Sequence, residues 1–149
     1  MSIPRFVVVL SVAVPLALIA TQMAGAAPQR PDAERERASV LAIEAGRDTF
    51  EQFCAPCHGS SGKGGGVIAP RLSVVPDDLT AARRRNQGVF PLARFETLLT
   101  ASTQPQGPGP HSSSQMPLWG ATFRGIDHTP ALARARVVNV LAYLESIQE

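Results

Sequence analysis

Apolar residues recur at helical spacing in two parts of the chain, which lie far apart in the sequence. Between residues 38 and 53, apolar residues recur at approximate helical spacing at Val40, Leu41, Ile43, Phe50 and Phe53. After Thr129, which can cap a helix, and Pro130, which suits a first turn, a longer apolar face follows. That face consists of Leu132, Val137, Val140, Leu141, Leu144 and Ile147. The pattern predicts a first helix over residues 38–53 and a closing helix that ends near Gln148.

The segments between these helices contain turn-forming residues and two shorter helical patterns. A glycine-rich loop over residues 59–66 precedes a predicted extended segment over residues 67–72. Residues 77–80 open a short helix with acidic residues at its start, and Pro91 opens another that runs to about Ala101. Residues 102–115 are rich in Pro, Gly and Ser and predict a surface loop. Because no segment alternates with period two, we predict an all-α protein.

Gly46 interrupts the first helical pattern. A glycine inside a helix costs about 1 kcal/mol relative to alanine, because its backbone has more conformational freedom to lose. We therefore expect the position to need the absence of a side chain, as at a close helix crossing.

The amino terminus has the pattern of an export signal. Arg5 precedes an apolar stretch from Phe6 to Ala20, and small residues at 24–26 suit a signal peptidase. We predict a signal peptide over residues 1–26, a flexible leader over residues 27–37 and one domain over residues 38–149. The predicted location is the periplasm. The alternative is that the apolar segment stays as a membrane anchor, since a spanning helix needs about 20 residues.

Charge and composition exclude some functions and suggest a bound group. The 149 residues contain 14 Lys and Arg against 12 Asp and Glu, which leaves no basic surface of the kind that binds nucleic acid. Aromatic residues make up only 5% of the chain. A core of this size usually contains more large rings, so we expect another apolar mass to fill part of it.

The run Cys54-Ala55-Pro56-Cys57-His58 is the attachment signature of c-type haem. Two cysteines three residues apart lie on one side of a helical turn, where their sulfurs can add to the two haem vinyl groups. His58 projects from the same side and can bind the iron. The alternatives are a structural disulfide, a thioredoxin-like redox site, which needs a βαβ frame, and a zinc site, which needs more ligands. We expect one covalent haem c with its iron.

Around this motif, the chain resembles the class I single-haem cytochromes c over about residues 40–147. Gly46 and Phe50 are similar to the glycine and aromatic residue of the family's first helix, which crosses a last helix at the positions of Tyr143 and Leu144. The resemblance implies the all-α cytochrome c fold. It also implies that the carbonyl of Pro70, twelve residues after His58, accepts the hydrogen bond of the His58 ring and that Leu72 packs on the haem.

A class I cytochrome usually completes the iron with a methionine sulfur, and residues 116–120 resemble that loop. Met116 is the one methionine after Ala26, and we expect it to be the second iron ligand. Trp119 is expected to pack beside the haem or bond a propionate. His111 is the rival ligand, although an exposed loop histidine is the simpler interpretation, and His128 is expected at the surface.

These expectations together predict a one-electron carrier that cycles between ferrous and ferric iron and is not itself an enzyme. The expected partners are larger redox proteins, met transiently or as the other subunits of an oxidoreductase. Contact with a membrane is expected only if the apolar segment is not cleaved. The alternative function is a haem protein that binds small ligands or reacts with peroxide, with Met116 displaced from the iron.

Overall fold

The first helix, α1, is longer than the apolar pattern predicts. In the computed structural model, which describes residues 31–101 and 116–149, α1 spans Pro31–Phe53. The prediction of a flexible leader up to residue 37 is therefore wrong for residues 31–37. Pro31 suits the first turn, and Asp32 and Glu34 lie where the helix dipole favours acids. Residues 31–40 are exposed, so the extension is stabilised by its charges and not by packing. An apolar pattern therefore could not reveal it.

The described parts of the chain are helical and contain no strand, which confirms the all-α class. The α-helices after α1 are α2 (Ala55–His58), α3 (Ala82–Arg85), α4 (Leu92–Thr100), α5 (Trp119–Asp127) and α6 (Pro130–Ser146). Two 3₁₀-helices lie at Ala69–Arg71 and Leu79–Ala81. The extended segment predicted over 67–72 is thus wrong in part, because residues 69–71 form a 3₁₀-helix. The predicted signal peptide and the loop at 102–115 lie outside the described residues.

Two predicted helix starts are confirmed by their side-chain caps. The Asp78 carboxylate accepts the backbone N–H of Thr80 at 2.9 Å, at the start of the second 3₁₀-helix. The Thr129 hydroxyl oxygen accepts the backbone N–H of Leu132 at 3.2 Å, and Pro130 occupies the first turn of α6. Each bond satisfies one of the amide groups that a helix start leaves without a partner.

Helices α1 and α6 cross at Gly46, as the sequence predicts. A Cβ at this position would overlap the carbonyl oxygen of Asn139 and lie 2.9 Å from the Cβ of Tyr143. Below the crossing, Phe50 is fully buried, and its ring centre lies 5.2 Å from that of Tyr143. The absence of a side chain at Gly46 therefore lets the two helix backbones approach closely enough to bury these rings.

Some positions of the predicted apolar faces are not part of the core. On α6, Val137, Val140, Leu141 and Leu144 are buried, but Leu132 is 57% exposed. Val40 and Leu41 on α1 are exposed as well. Leu132 lies in the first turn of α6, whereas Val40 and Leu41 lie near the middle of α1.

The carboxy-terminal residues fasten α6 to the segment at residues 79–83. The Gln148 side chain accepts the N–H of Arg83 at 2.8 Å and donates to the carbonyls of Leu79 and Leu144 at 2.9 and 2.7 Å. The N–H of Glu149 donates to the carbonyl of Thr80 at 2.9 Å.

Across residues 31–101 and 116–149, no helix combines the length and apolar character needed to cross a membrane.

Candidate haem site

An apolar crevice lies between α1, the loop before the second 3₁₀-helix, α4, the start of α5, and α6. It encloses about 850 Å³ of empty space, part of which is open to solvent. Its apolar walls include Phe50, Phe53, Leu79, Phe95, Leu99, Val140 and Leu144. The sequence predictions that also line it are Cys54, Cys57, His58, Leu72, Met116 and Trp119. Six of the seven predicted site residues therefore meet in one place, although Cys54 and Trp119 are 65 positions apart in the sequence.

The turn that carries the two thiols is fixed by the glycine-rich loop. The N–H groups of Gly64 and Gly66 donate to the carbonyls of His58 and Cys57 at 2.7 and 3.1 Å. At Gly66, a Cβ would overlap the carbonyl oxygens of Ala55 and Pro56, so a side chain would push the loop away from α2. The loop thus satisfies the carbonyls that end α2 and holds this helix in position.

The His58 ring is oriented by a backbone carbonyl that the sequence did not indicate. Its Nδ1 lies 3.1 Å from the carbonyl oxygen of Asp77 and must donate to it, because a carbonyl can only accept. Burial lowers the pKa of His58, against the smaller opposing effect of this bond, and so favours the neutral ring. Nε2 then keeps the lone pair that a metal requires.

The prediction that Pro70 supplies this acceptor is wrong in this structure. Pro70 is exposed, and it does not line the crevice. It lies within the 3₁₀-helix at residues 69–71, where an extended segment was expected. Asp77 lines the crevice instead and brings its carbonyl to the His58 ring.

Neither thiol has the lowered pKa that disulfide exchange requires. Burial raises the pKa of Cys54 to about 12, with a smaller contribution from Cys57, and burial also raises the pKa of Cys57. Redox-active Cys-x-x-Cys pairs instead have a depressed pKa, because the thiolate is the nucleophile. Nor do residues 31–101 and 116–149 contain a cluster of three or more His, Cys, Asp or Glu side chains that could hold a metal ion.

Met116 also lines the crevice, where it precedes α5 and packs against the core while remaining partly exposed. Trp119 is buried, stacks on Phe123 with ring centres 5.4 Å apart and meets the edge of Phe53 at 5.8 Å. Of the other two histidines, His128 is exposed in a left-handed conformation after α5, and His111 lies outside the described residues. The prediction that His128 is a surface residue is confirmed.

The residues present fit a covalent haem. Two thiols and an imidazole with a free lone pair border an apolar space, and the thioether side chain of Met116 also lines it. Thiols form the thioether bonds to the vinyl groups, imidazole and thioether sulfur are haem iron ligands, and aromatic and aliphatic walls suit the macrocycle. Sequence reasoning missed Phe53 and Asp77 as parts of this site. Phe53 was visible only as a core position, and Asp77 acts through its backbone.

Comparisons with known proteins agree with this chemistry. The family model described as Cytochrome c matches residues 43–148, which is more than half of the chain. Searches among curated proteins and among solved structures found no match.

Proposed function

We propose that this chain, which belongs to the cytochrome c family and carries covalent haem c for electron transfer, binds the iron between His58 and Met116. The observation that supports the ligand pair is that both side chains line one crevice with Cys54 and Cys57. When bound, the haem iron supplies the one-electron step between the ferrous and ferric states.

The residues around the crevice hold and tune the group rather than react. Cys54 and Cys57 would tether it through thioether bonds, and the bond from His58 to the Asp77 carbonyl fixes which ring nitrogen faces the iron. Apolar walls exclude water, which disfavours the more charged ferric state. Histidine and methionine together leave no open position for substrate chemistry, and a thioether ligand raises the reduction potential relative to a second histidine.

Replacing Met116 with alanine tests the ligand pair. The ferric wild-type protein should be low-spin and show a charge-transfer band from methionine sulfur to iron. Met116→Ala should abolish that band, lower the reduction potential and open the iron to added imidazole, because its sulfur is the proposed ligand. Optical and electron paramagnetic resonance spectra of the ferric proteins measure the band, the spin state and imidazole binding. A redox titration gives the reduction potential.

The matched control is His111→Ala, which should keep the band and the low-spin state. A band that survives in Met116→Ala would contradict the proposed ligand. High-spin ferric iron in the wild type would favour the alternative function, in which the iron binds small ligands or reacts with peroxide.

We further propose that the chain acts in the periplasm after cleavage behind Ala26. The support is the positive flank, apolar stretch and small residues of the first 26 positions. Expression in a bacterium that can mature c-type cytochromes, followed by intact mass spectrometry, tests both parts. The expected mass is that of residues 27–149 plus one haem, recovered in the periplasmic fraction. A membrane-bound species that keeps residues 1–26 would support the anchor instead.

The proposed partners, larger redox proteins, would approach the exposed edge of the crevice. Val75 lines the crevice and is 83% exposed, and Val74 beside it is 41% exposed. Exposed apolar side chains of this kind suit small, transient contacts, such as those through which redox proteins exchange electrons. The same edge would serve whether the partner is free or another subunit of an oxidoreductase.

Electron self-exchange tests this edge without knowledge of the partner. Val75→Glu should slow self-exchange between ferrous and ferric copies by about five-fold or more, because two like charges would meet at the contact. Nuclear magnetic resonance line broadening in mixtures of the two redox states gives the rate. Val89→Glu is the matched control, since Val89 is 65% exposed but does not line the crevice. Equal slowing in both variants would contradict an approach at Val75.

A further inference from the structure

An ion pair joins the end of α5 to the middle of α6, outside the set of residues that line the crevice. The Arg136 guanidinium donates from Nε to one Asp127 carboxylate oxygen at 2.9 Å and from Nη2 to the other at 2.5 Å. The Asp127 side chain is only 9% exposed, and that of Arg136 is 25% exposed. Two parallel, partly desolvated bonds of this kind fix both direction and distance, unlike an exposed pair.

The same guanidinium also touches α1 and the aromatic rings behind the crevice. Its Nη1 donates to the hydroxyl oxygen of Thr49 at 3.4 Å, and Thr49 in turn donates to the Ala45 carbonyl. The guanidinium carbon lies 5.9 Å from the ring centre of Phe53 and 5.7 Å from that of Phe123. A cation at this distance from a ring face is attracted to it. Arg136 therefore links three helices at one point.

The aromatic rings connect this point to the crevice. Phe123 packs edge-on against Phe53 at 5.6 Å and stacks on Trp119 at 5.4 Å. Phe53 and Trp119 line the crevice, while Phe123, Asp127 and Arg136 do not. Trp119 begins α5 three residues after Met116, so the position of α5 determines where the Met116 loop joins the fold.

We propose that the Asp127–Arg136 pair is a positioning device for Met116. The pair holds the carboxy-terminal end of α5 against α6. The Arg136 guanidinium also fixes Phe53 and Phe123, the rings on which Trp119 packs. Met116, three residues before the start of α5, is thereby held at one position in the crevice. This inference rests on the proposed ligation of the iron by Met116.

Imidazole, which competes with methionine for ferric iron, reports how firmly Met116 is held. In the holoprotein, Asp127→Asn should bind imidazole about ten-fold more tightly than the wild type, because a loosened ligand is displaced more easily. Glu145→Gln is the matched control, since it breaks an exposed pair between Arg83 and the same helix α6, with N and O atoms 3.5 Å apart. The control should bind imidazole as the wild type does.

A double-mutant cycle separates positioning of Met116 from a general loosening of the crevice. In a Met116→Ala background, Asp127→Asn should leave imidazole affinity unchanged, because the ligand that the pair positions is already gone. An effect of the same size in that background would overturn the inference. The inference would also be overturned if Asp127→Asn alone bound imidazole with wild-type affinity. In that case, the sulfur-to-iron band of the wild type would still support Met116 as the ligand.

Arg136→Lys provides a milder variant if Asp127→Asn does not accumulate as a folded protein. Lysine keeps the cation but cannot form two parallel bonds to one carboxylate. It should therefore raise imidazole affinity by less than Asp127→Asn, and again only when Met116 is present. A wild type without the sulfur-to-iron band would instead refute the proposed ligation itself.

Discussion

A chain carrying Cys54→Ser and Cys57→Ser should emerge without covalent haem and with most of its folded structure lost. Many of the largest core side chains, including Phe50, Phe95 and Leu144, line the crevice that the haem would fill. Without the haem, these apolar walls would face water instead of packing against the macrocycle, and the burial that stabilises the core would be lost. Because the haem binds only the folded state, its loss also removes that contribution to stability.

Circular dichroism and intact mass spectrometry measure the two effects together. The double variant should lack the haem mass and show little cooperative thermal unfolding. Cys57→Ser alone keeps one thioether bond and should retain a folded fraction between those of the double variant and the wild type. A cooperative, native-like melt of the haem-free chain would contradict this expectation.

The second large effect is expected at the crossing of α1 and α6. Gly46→Ala should lower the free energy of unfolding by about 2–3 kcal/mol, because overpacked sites must move backbone or neighbouring side chains. Here the first atom that the new Cβ meets is the backbone carbonyl oxygen of Asn139, which cannot turn aside as a side chain can. Guanidinium unfolding followed by circular dichroism gives the value.

Gly125 provides a matched glycine in another helix. A Cβ at Gly125 meets no described atom within 4 Å, and the position lies inside α5. Gly125→Ala should therefore raise the free energy of unfolding by about 0.5–1 kcal/mol, since alanine has less backbone entropy to lose. Destabilisation of similar size in both variants would show that close approach is not what Gly46 provides.

The sequence could predict the parts of the site whose chemistry is concentrated in a few adjacent residues. The spacing of Cys54, Cys57 and His58 defines one helical turn, and the structure places that turn at the crevice. Gly46 was predictable because a glycine inside an apolar helical pattern needs a reason, and close packing is the usual one. Likewise, Thr129 and Pro130 mark a helix start through local chemistry alone.

Other parts of the site depend on contacts that leave no local pattern. The backbone carbonyl of Asp77 accepts the hydrogen bond of the His58 ring, so any residue type would serve there. Helix α5 contains Gly120, Gly125 and β-branched residues, which have low helix propensity, and its buried rings Trp119 and Phe123 stabilise it by packing. The contact of Arg136 with Thr49 of α1 joins residues far apart in the sequence, so the sequence alone shows Arg136 only as a charged position on a helix.

The helix crossing at Gly46 also has a consequence for how the protein folds. Gly46 and Asn139 are separated by about 90 residues, and bringing such distant segments together has an entropy cost that rises with loop length. Proteins whose contacts join distant segments fold slowly. Until α6 has formed, Phe50 has no Tyr143 to pack against and stays open to solvent. A chain interrupted before residue 130 would therefore remain an aggregation-prone intermediate, even with its haem attached.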